Sequence, residues 1–355
     1  MRFALGLANA ADSWRTAVRA EELGFDTVWF EDSQMVAADP FVVMAAAAMK
    51  TTRIRLGTGV CIPTNRIPPV TANLLATLNA LAPGRIDFGV GTGFSARRAM
   101  GLPAMSVATL GRHLRAVRGL LDGDTVEWSF EGQRRKLRFV NADLGLFNVE
   151  DPIEFHVAAM GPRTRALTAD TASHWIAVYM HPAQAAAEIT EMNQAYADAG
   201  EDPARFRKTA YTFGAVLRDH DTFDAPRIRQ QAGPVAAMVL HNLMETQYGD
   251  LGTGGIADEA LVEAYRHIYE ANEPADARYL SLHRGHALFL KPEEEAFVTG
   301  DFIRQCSFSG TADTLADRVK GMRDAGYTDV SFVVLPQYPE MVDDWARVRD
   351  LAVAG

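Results

Sequence analysis

The chain is poor in cysteine, in surplus positive charge and in long apolar segments, and each shortage excludes a class of protein. Only Cys61 and Cys306 occur among 355 residues, which is too few for a disulfide framework and is typical of a reducing cytosol. The formal net charge of −10 argues against nucleic-acid and anionic-membrane surfaces, because both are bound by clustered positive charge. No apolar segment reaches the roughly 20 residues of a membrane span, and no signal-peptide pattern occurs. We therefore expect a cytoplasmic protein with no nucleic-acid or membrane partner.

Several catalytic signatures are also missing. No Ser-His-Asp set, no phosphate-binding GxxxxGK sequence and no HExxH sequence occurs at the expected strand ends. Neither cysteine has a metal-ligand spacing. Hydrolase and metalloenzyme functions are therefore disfavoured, and no metal site is predicted.

What the chain does have is a regular alternation of short apolar strands and helices. Strands are predicted at Phe3–Leu7, Thr27–Phe30, from Ile54, from Ile86, and at Ile153–Ala159, Trp175–Tyr179, Thr209–Leu217 and Val330–Leu335. Strands that are apolar throughout are typical of parallel sheets covered on both faces. Eight of them predict an α/β fold, a (β/α)8 TIM barrel, as one domain over residues 1–355.

One long interval, about residues 219–308, does not fit a single strand-helix unit. Its helical stretches, Pro234–Tyr248 and Asp258–Glu270, predict a helical insertion late in the chain. Insertions at the catalytic rim of a barrel usually form lids or substrate walls, so we expect a substrate-side lid.

Two strands in this pattern end in glycines. Gly57 and Gly59 follow Ile54 and Leu56, and the next strand runs into 89–93, a Gly-Val-Gly-Thr-Gly sequence. Glycine removes side chains that would keep a flat ring away from the backbone. Either segment alone fits an ordinary strand-to-helix turn equally well. Two such segments, one helix apart, suggest a shared pocket.

The carboxyl ends of barrel strands converge on one mouth, where active sites lie. The residues expected there are Asn9, Glu31, Asp32, Ser33, Gly59, Val60, Cys61, Thr92, Gly93, Phe94, Gly161 and Tyr179. After the fifth strand, the sequence Met160-Gly161-Pro162-Arg163 places helix N-terminal amides beside an arginine, which suits a phosphate. A plain turn with a solvated Arg163 is the alternative.

Five segments in register resemble the bacterial luciferase-like monooxygenase superfamily. They are Gly24–Trp29, Arg53–Val60, Pro83–Arg85, Gly89–Gly93 and Ala158–Pro162. The similarity is to the deazaflavin-using branch, which includes methylenetetrahydromethanopterin reductases. It covers Met1 to about Tyr179 and returns at Ser309–Leu335.

The resemblance implies a TIM barrel whose flavin or deazaflavin ring lies against a bulge after the third strand, with a non-prolyl cis peptide at Gly59-Val60. It implies that the polar edge of the ring is contacted by Asp32, Ser33, Thr92 and Gly93. It also implies that the phosphate is bound by Met160, Gly161 and Arg163. The full cofactor-binding set is Asp32, Ser33, Thr58, Gly59, Val60, Cys61, Thr92, Gly93, Phe94, Met160, Gly161 and Arg163.

Two residues depart from the sugar-phosphate dehydrogenases of that branch. Ser33 stands where they have a histidine, and Phe94 stands where they have a glutamate acid. Neither side chain exchanges a proton near neutral pH, so that substrate is not carried over. His283 and His286, in the insertion, are the candidate catalytic proton donors, with solvent-facing or structural histidines as the alternative. Glu31 is expected to orient the mouth or to pair with an arginine.

The leading hypothesis is an oxidoreductase that uses coenzyme F420 for hydride transfer to or from a small organic substrate. The alternatives are a monooxygenase that uses reduced FMN and oxygen, and a non-catalytic flavin-binding barrel. A phosphate-ligand lyase or isomerase ranks last, since only Glu31 and Asp32 supply strand-end carboxylates. Family members commonly form homodimers through barrel helices, and the alanine-rich helix at Phe41–Met49 is suited to close packing either inside the chain or across such an interface.

The insertion also suggests a hydrophobic substrate. Its large apolar residues face either the cavity or the core of the insertion itself. They are Met238, Leu240, Leu243, Met244, Tyr248, Phe289 and Phe297.

Overall fold

The computed structural model describes residues 1–179, 182–245 and 259–354. Its strands are β1 (Arg2–Leu7), β2 (Thr27–Phe30), β3 (Arg55–Thr58), β4 (Ile86–Val90), β5 (Val126–Phe130), β6 (Gln133–Leu137), β7 (Glu154–Ala158), β8 (His174–Val178), β9 (Lys208–Thr212), β10 (Val216–Leu217), β11 (Gly310–Thr311) and β12 (Asp329–Val334). Eight of these strands, all parallel, close into a barrel in the order β1-β12-β9-β8-β7-β4-β3-β2. The predicted (β/α)8 barrel is confirmed.

Helices follow most barrel strands and cover their outer faces. They are α1 (Trp14–Glu22), α2 (Pro40–Ala48), α3 (Pro68–Leu81), α4 (Phe94–Arg98), α5 (Val107–Leu121), α6 (Pro162–Asp170), α7 (Pro182–Asp198), α8 (Pro226–Met244), α9 (Glu259–Glu270), α10 (Tyr279–Leu282), α11 (Gly300–Cys306), α12 (Ala312–Ala325) and α13 (Met341–Ala354). Capping side chains mark the first residues of several helices. Asp39 caps α2 by accepting hydrogen bonds from the amides of Phe41 and Val42, and Thr311 caps α12. Across the described ranges, no helix is long and apolar enough to cross a membrane.

Trp29 lies in the interior of the barrel and is fully buried. Trp29 pairs in register with Gly6 on β1 and Gly57 on β3. A Cβ atom at Gly57 would lie 2.4 Å from the Trp29 ring, and one at Gly59 would lie 2.6 Å from the Trp29 Cβ. These two glycines therefore make room for Trp29. Trp29 takes the positions that Cβ atoms on these glycines would occupy, and the expectation that a cofactor ring lies against the main chain there stays a prediction.

Charged side chains occupy the amino-terminal end of the barrel. Asp87 is fully buried, and its two oxygens accept hydrogen bonds from Arg55 Nε (3.0 Å) and Nη2 (2.9 Å). His156 Nε2 lies 3.4 Å from the same carboxylate, and Arg207 joins Asp87 to Asp329. Burial would raise the pKa of Asp87, but His156 and Arg55 lower it well below its usual range. Burial lowers the pKa of His156 to about 4.

The predicted seventh strand, Thr209–Leu217, is two strands. β9 ends at Thr212, and β10 (Val216–Leu217) pairs outside the barrel with β11. The break lies at Gly214, where a Cβ atom would come within 2.1 Å of the Phe308 carbonyl oxygen. The chain leaves the barrel there because the segment that returns from the insertion passes against its backbone.

The insertion has its own apolar core, formed largely by α8 and α11. α8 begins at Pro226 rather than Pro234, and Pro234 lies inside the helix. Tyr248 and Asp258, the predicted ends of two helices, lie outside the described residues. The predicted helix up to Glu270 is confirmed over Glu259–Glu270. The polar segment before β7 forms the antiparallel hairpin β5–β6.

Candidate active site

A backbone bulge follows β3 at the mouth of the barrel. The Gly59-Val60 peptide bond is cis and does not involve proline, as the resemblance implies. The Gly59 amide donates to the Phe30 carbonyl (2.7 Å), and the Cys61 amide donates to the Gly89 carbonyl (2.8 Å). The bulge is therefore tied to β2 on one side and β4 on the other, with Gly59 and Val60 half-buried at the mouth.

Three buried residues hold this bulge from behind. Asp32 Oδ2 accepts hydrogen bonds from the Ile62 amide (2.9 Å) and from Arg66 Nη1 (3.1 Å). The Thr58 hydroxyl donates to the Gly89 carbonyl (2.6 Å). Cys61 is fully buried, and burial together with the charge of Asp32 raises the pKa of its thiol. The side chains of Asp32, Thr58 and Cys61 are thus engaged by the protein itself.

Glu31 lies over the centre of the mouth. It follows Trp29 by two positions, and alternate residues of a strand face the same side, so its side chain continues the inward-facing row. The Glu31 amide donates to the Leu7 carbonyl (3.1 Å), which extends the β1–β2 ladder by one residue. Among the described residues no hydrogen bond or ion pair reaches its carboxyl group, so the expected pairing with an arginine is wrong. Burial raises the pKa of Glu31 to about 7.

Tyr211 and Asn9 complete the centre of the mouth. Tyr211, on β9, points its hydroxyl toward Gly6, and burial together with the charge of Glu31 raises its pKa well above the usual range. The Tyr211 hydroxyl and the Asn9 Oδ1 atom are buried and have no hydrogen-bond partner in the described part of the chain. Asn9 Nδ2 donates to the Glu31 carbonyl (2.6 Å). Acceptors and donors left open in this way are rare in protein interiors and are typical of ligand sites.

The rim beside β4 joins the barrel to the insertion. Thr92 is half-buried, and Gly93 adopts φ +79° to begin α4. The Arg98 guanidinium lies 3.8 Å from the centroid of the Phe94 ring. Arg98 Nε also lies 3.0 Å from Glu245 Oε2, just beyond α8. The insertion therefore contacts the rim where Phe94 lies, and its role as a substrate-side lid stays a prediction.

The turn after β7 presents an open helix N-terminus. Gly161 is the N-cap residue of α6, and a Cβ atom there would meet nothing within 4 Å. Arg163 is exposed, with no hydrogen bond or ion pair to any residue that the structure describes. Met160 is 43% exposed. Partial positive charge at this helix end and an open arginine side chain suit an anionic group.

A comparison with known families agrees with this geometry. The model for luciferase-like monooxygenases matches residues 5–329. The chain belongs to the luciferase-like monooxygenase family.

Two groups of relatives within the luciferase-like family are informative. The chain is 25% identical over 313 residues to 5,10-methylenetetrahydromethanopterin reductase from Archaeoglobus fulgidus, covering 88% of this chain and 86% of the relative. It is 36% identical over 160 residues to the F420-dependent glucose-6-phosphate dehydrogenase of Kineococcus radiotolerans, covering 41% and 46%. The solved F420-dependent tetrahydromethanopterin reductase from Methanopyrus kandleri superposes with a TM-score of 0.70 at 20% identity, covering 97% of each chain.

The turn directly after α10, in the insertion, contains His283 and His286. His283 is buried, and its Nε2 lies 3.0 Å from Glu245 Oε1. Its Nδ1 lies 3.2 Å from His286 Nδ1. Both rings pack near His241 of α8, which sequence reasoning did not single out. Their predicted catalytic role stays a prediction.

The apolar residues of the insertion pack mainly against one another. Leu240 and Met244 belong to its buried core, and Leu243 and Phe297 pack against that core. Phe289 is 42% exposed, Met238 is half-buried, and Tyr248 lies outside the described residues. These side chains therefore give little support to a hydrophobic substrate.

Glu31, Tyr211 and His241 are the functional candidates that sequence reasoning underrated or missed. For Glu31 a signal was available, because its two-residue spacing from Trp29 places it on the inward face. No local pattern marks Tyr211 or His241. Their significance depends on which residues the closed barrel and the insertion bring next to them.

Proposed function

We propose that this chain is an oxidoreductase that binds coenzyme F420 at the barrel mouth and transfers hydride to or from a small organic substrate. The observation that carries the proposal is the backbone bulge at Gly59 and Val60, which is hydrogen-bonded to β2 and β4 and offers half-buried main chain beside Glu31. The relatives that span most of the chain support the choice of F420, because their names give F420-linked or methanopterin reductase activities.

The residues at the mouth fit a cofactor of this kind. Two buried polar atoms, the Tyr211 hydroxyl and Asn9 Oδ1, are left for a ligand. We assign the ring to the bulge at Gly59 and Val60, with the backbone behind it held by Asp32, Thr58 and Cys61. Ser33, Thr92, Gly93 and Phe94 would line the edge of the ring, and the turn at Met160, Gly161 and Arg163 would hold the phosphate.

Glu31 is the proton donor that the geometry favours. F420 supplies hydride chemistry at a ring carbon when it is bound, and reduction of a polar double bond also needs one proton. A carboxyl group with a pKa of about 7 is half protonated at neutral pH and can donate that proton to the substrate heteroatom. In the oxidative direction the carboxylate accepts it back. The role of His283 and His286 as donors stays an alternative prediction.

The sugar-phosphate substrate of the Kineococcus relative is not proposed for this chain. Ser33 and Phe94 replace the histidine and the glutamate expected for that reaction. The matched region in that relative is also less than half of its length. The substrate class is therefore left as a small organic molecule held between the mouth and the insertion.

Cofactor titration tests the proposal. Quenching of cofactor fluorescence on addition of protein should show saturable binding of F420 and weaker binding of FMN. Arg163→Ala should weaken F420 binding about tenfold, since a hydrogen bond to a charged group contributes about 1.5–3 kcal/mol. Arg205→Ala is the matched control, because Arg205 is exposed near the amino-terminal end of β9.

Tight binding of FMN without binding of F420 would contradict the choice of cofactor. The monooxygenase alternative would then predict oxygen uptake by the protein supplied with reduced FMN. Binding of F420 without its bleaching across a panel of ketones, imines and enones would favour the non-catalytic alternative.

We also propose that the chain forms a homodimer through the outer faces of α2 and α3. A groove of about 910 Å³ runs between these helices, and Val42 and Val70 are 71% and 49% exposed beside it. Exposed apolar surface of this kind is typical of interfaces. Light scattering should give twice the chain mass for the wild type and a smaller mass for Val42→Asp. Val353→Asp, on α13, should stay dimeric, and a monomeric wild type would contradict the proposal.

A further inference from the structure

Three histidines converge inside the insertion. His241 lies on α8, and His283 and His286 lie in the turn after α10. Each offers a ring nitrogen such that the three nitrogens lie within 4.8 Å of one another. His241 and His283 are buried, and His286 is half-buried.

Two carboxylates fix the orientation of the rings. His241 Nε2 lies 2.6 Å from Glu294 Oε1, and His283 Nε2 lies 3.0 Å from Glu245 Oε1. When each Nε2–H group donates to its carboxylate, the opposite nitrogen, Nδ1, carries a lone pair. A carboxylate behind the ring is the usual companion of a metal-bound histidine, because it sets the tautomer and raises the basicity of the ligand nitrogen.

The nitrogens that face one another have few protein partners. His241 Nδ1 is buried and accepts no hydrogen bond from any described residue. His283 Nδ1 lies 3.2 Å from His286 Nδ1, so one proton at most is shared between these two nitrogens. A buried lone pair without a donor is costly, and three ring nitrogens this close together can bind one metal ion.

Two cations lie beside the carboxylates that orient the rings. Lys291 Nζ lies 3.1 Å from Glu294 Oε1, and Arg98 Nε lies 3.0 Å from Glu245 Oε2. These contacts fix the two carboxylates behind His241 and His283.

We propose that His241, His283 and His286 bind one divalent transition-metal ion, zinc, through three imidazole nitrogens. Imidazole ligands suit zinc, and three protein ligands leave its fourth coordination position open for water or another small ligand. The ion joins α8 to the 283–286 turn, and Glu245 continues the link to Arg98 of the barrel. The proposal does not depend on the identity of the redox cofactor.

Metal analysis of the full-length protein tests the site. Protein purified from zinc-supplemented cells should contain about one zinc per chain. After removal by a chelator, addition of Co²⁺ should produce the visible absorption bands of a tetrahedral ion at about one equivalent. Added Zn²⁺ should raise the melting temperature of the stripped protein, because a ligand that binds only the folded state stabilises it.

Variants separate this site from adventitious binding. His241→Gln and His286→Gln should each remove the cobalt bands, and Glu294→Gln should weaken the affinity about 10–100-fold. His113→Gln is the control, since His113 is a buried histidine of α5 outside the cluster, and it should bind metal as the wild type does. Wild-type protein that takes up neither zinc nor cobalt stoichiometrically would overturn the proposal, and so would loss of binding in His113→Gln. These wild-type measurements decide the matter even if a variant fails to fold.

Discussion

Glu31→Gln is expected to slow hydride transfer by about 10²–10⁴-fold, the usual contribution of a positioned general acid. Glutamine keeps the size of the side chain and removes only the exchangeable proton. Binding of F420 should change little, because the assigned ring and phosphate contacts remain. The rate is measured as reoxidation of reduced F420 with the compounds that the wild type reduces.

The pH profile gives a second measure of the same group. Burial raises the pKa of Glu31 to about 7, and the donor must be protonated. In the reductive direction kcat/KM should therefore fall as pH rises through about 7. The kcat/KM of Glu31→Gln should not show this decrease. Infrared spectra of the cofactor-free protein should show a carboxylic acid band that titrates near pH 7 and is absent from the variant.

Glu188→Gln is the matched control for this experiment. Glu188 is a half-buried carboxyl on α7 whose pKa is also raised by burial, but it hydrogen-bonds to Tyr327 outside the barrel. Its replacement should leave turnover unchanged. If Glu31→Gln retains the wild-type rate and the decrease in kcat/KM near pH 7, Glu31 is not the donor. His283 and His286 then become the residues to test.

Asp87→Asn is expected to have the largest effect on stability, a loss of about 3–5 kcal/mol in the free energy of unfolding. Removing one partner of a buried ion pair leaves the other charge uncompensated. Here Arg55 loses a two-pronged contact and Arg207 loses a nearby carboxylate. Urea denaturation followed by circular dichroism measures the loss.

The pH dependence of this effect has a definite sign. Asp87 has a lowered pKa, so its contribution is present above the unfolded-state pKa of about 4 and is lost as pH falls through the folded-state value. His156 adds to acid sensitivity, because its pKa of about 4 lies below the unfolded-state value of about 6.5. Wild-type stability should therefore decline as the pH falls from about 6.5 to about 4, because the unfolded chain takes up a proton that the buried His156 does not.

An exposed ion pair provides the control for Asp87. Asp343 pairs with Arg19 on the surface, and about half of each side chain is exposed. Asp343→Asn should leave the denaturation midpoint unchanged, since water already solvates both groups. Equal effects of the two substitutions would contradict the assignment of Asp87 as a buried anchor of the barrel.

The fold could be predicted from the sequence because strand and helix patterns repeat along the chain. Apolar strands alternate with helices, and parallel strands of this kind close in few ways. The division of Thr209–Leu217 into β9 and β10 was not accessible, because it depends on Phe308, a residue distant in the chain, approaching Gly214.

The bulge after β3 and the turn after β7 could be predicted from motifs, but the chemistry of the mouth could not. The sequence placed Gly59, Val60 and Gly161 at strand ends because glycine and helix-start patterns are local. The glycine pattern predicted room for a cofactor ring at Gly57 and Gly59 but not that Trp29 lies where Cβ atoms on these glycines would be. Which side chain fills a barrel depends on all eight strands together, so no single segment records it.

By itself, the sequence determined the (β/α)8 architecture, since this follows from short patterns of residue type, and its motifs carried the family resemblance, which implied the position of the cis peptide. Tertiary structure alone decided that the Glu31 carboxyl has no hydrogen-bond or ion-pair partner among the described residues and has a raised pKa, that Asp87 is buried beside arginines, and that His241 lies next to His283 and His286. The physical reason is that burial and charge proximity act through space. Closure of the barrel and packing of the insertion bring together groups that are far apart along the chain.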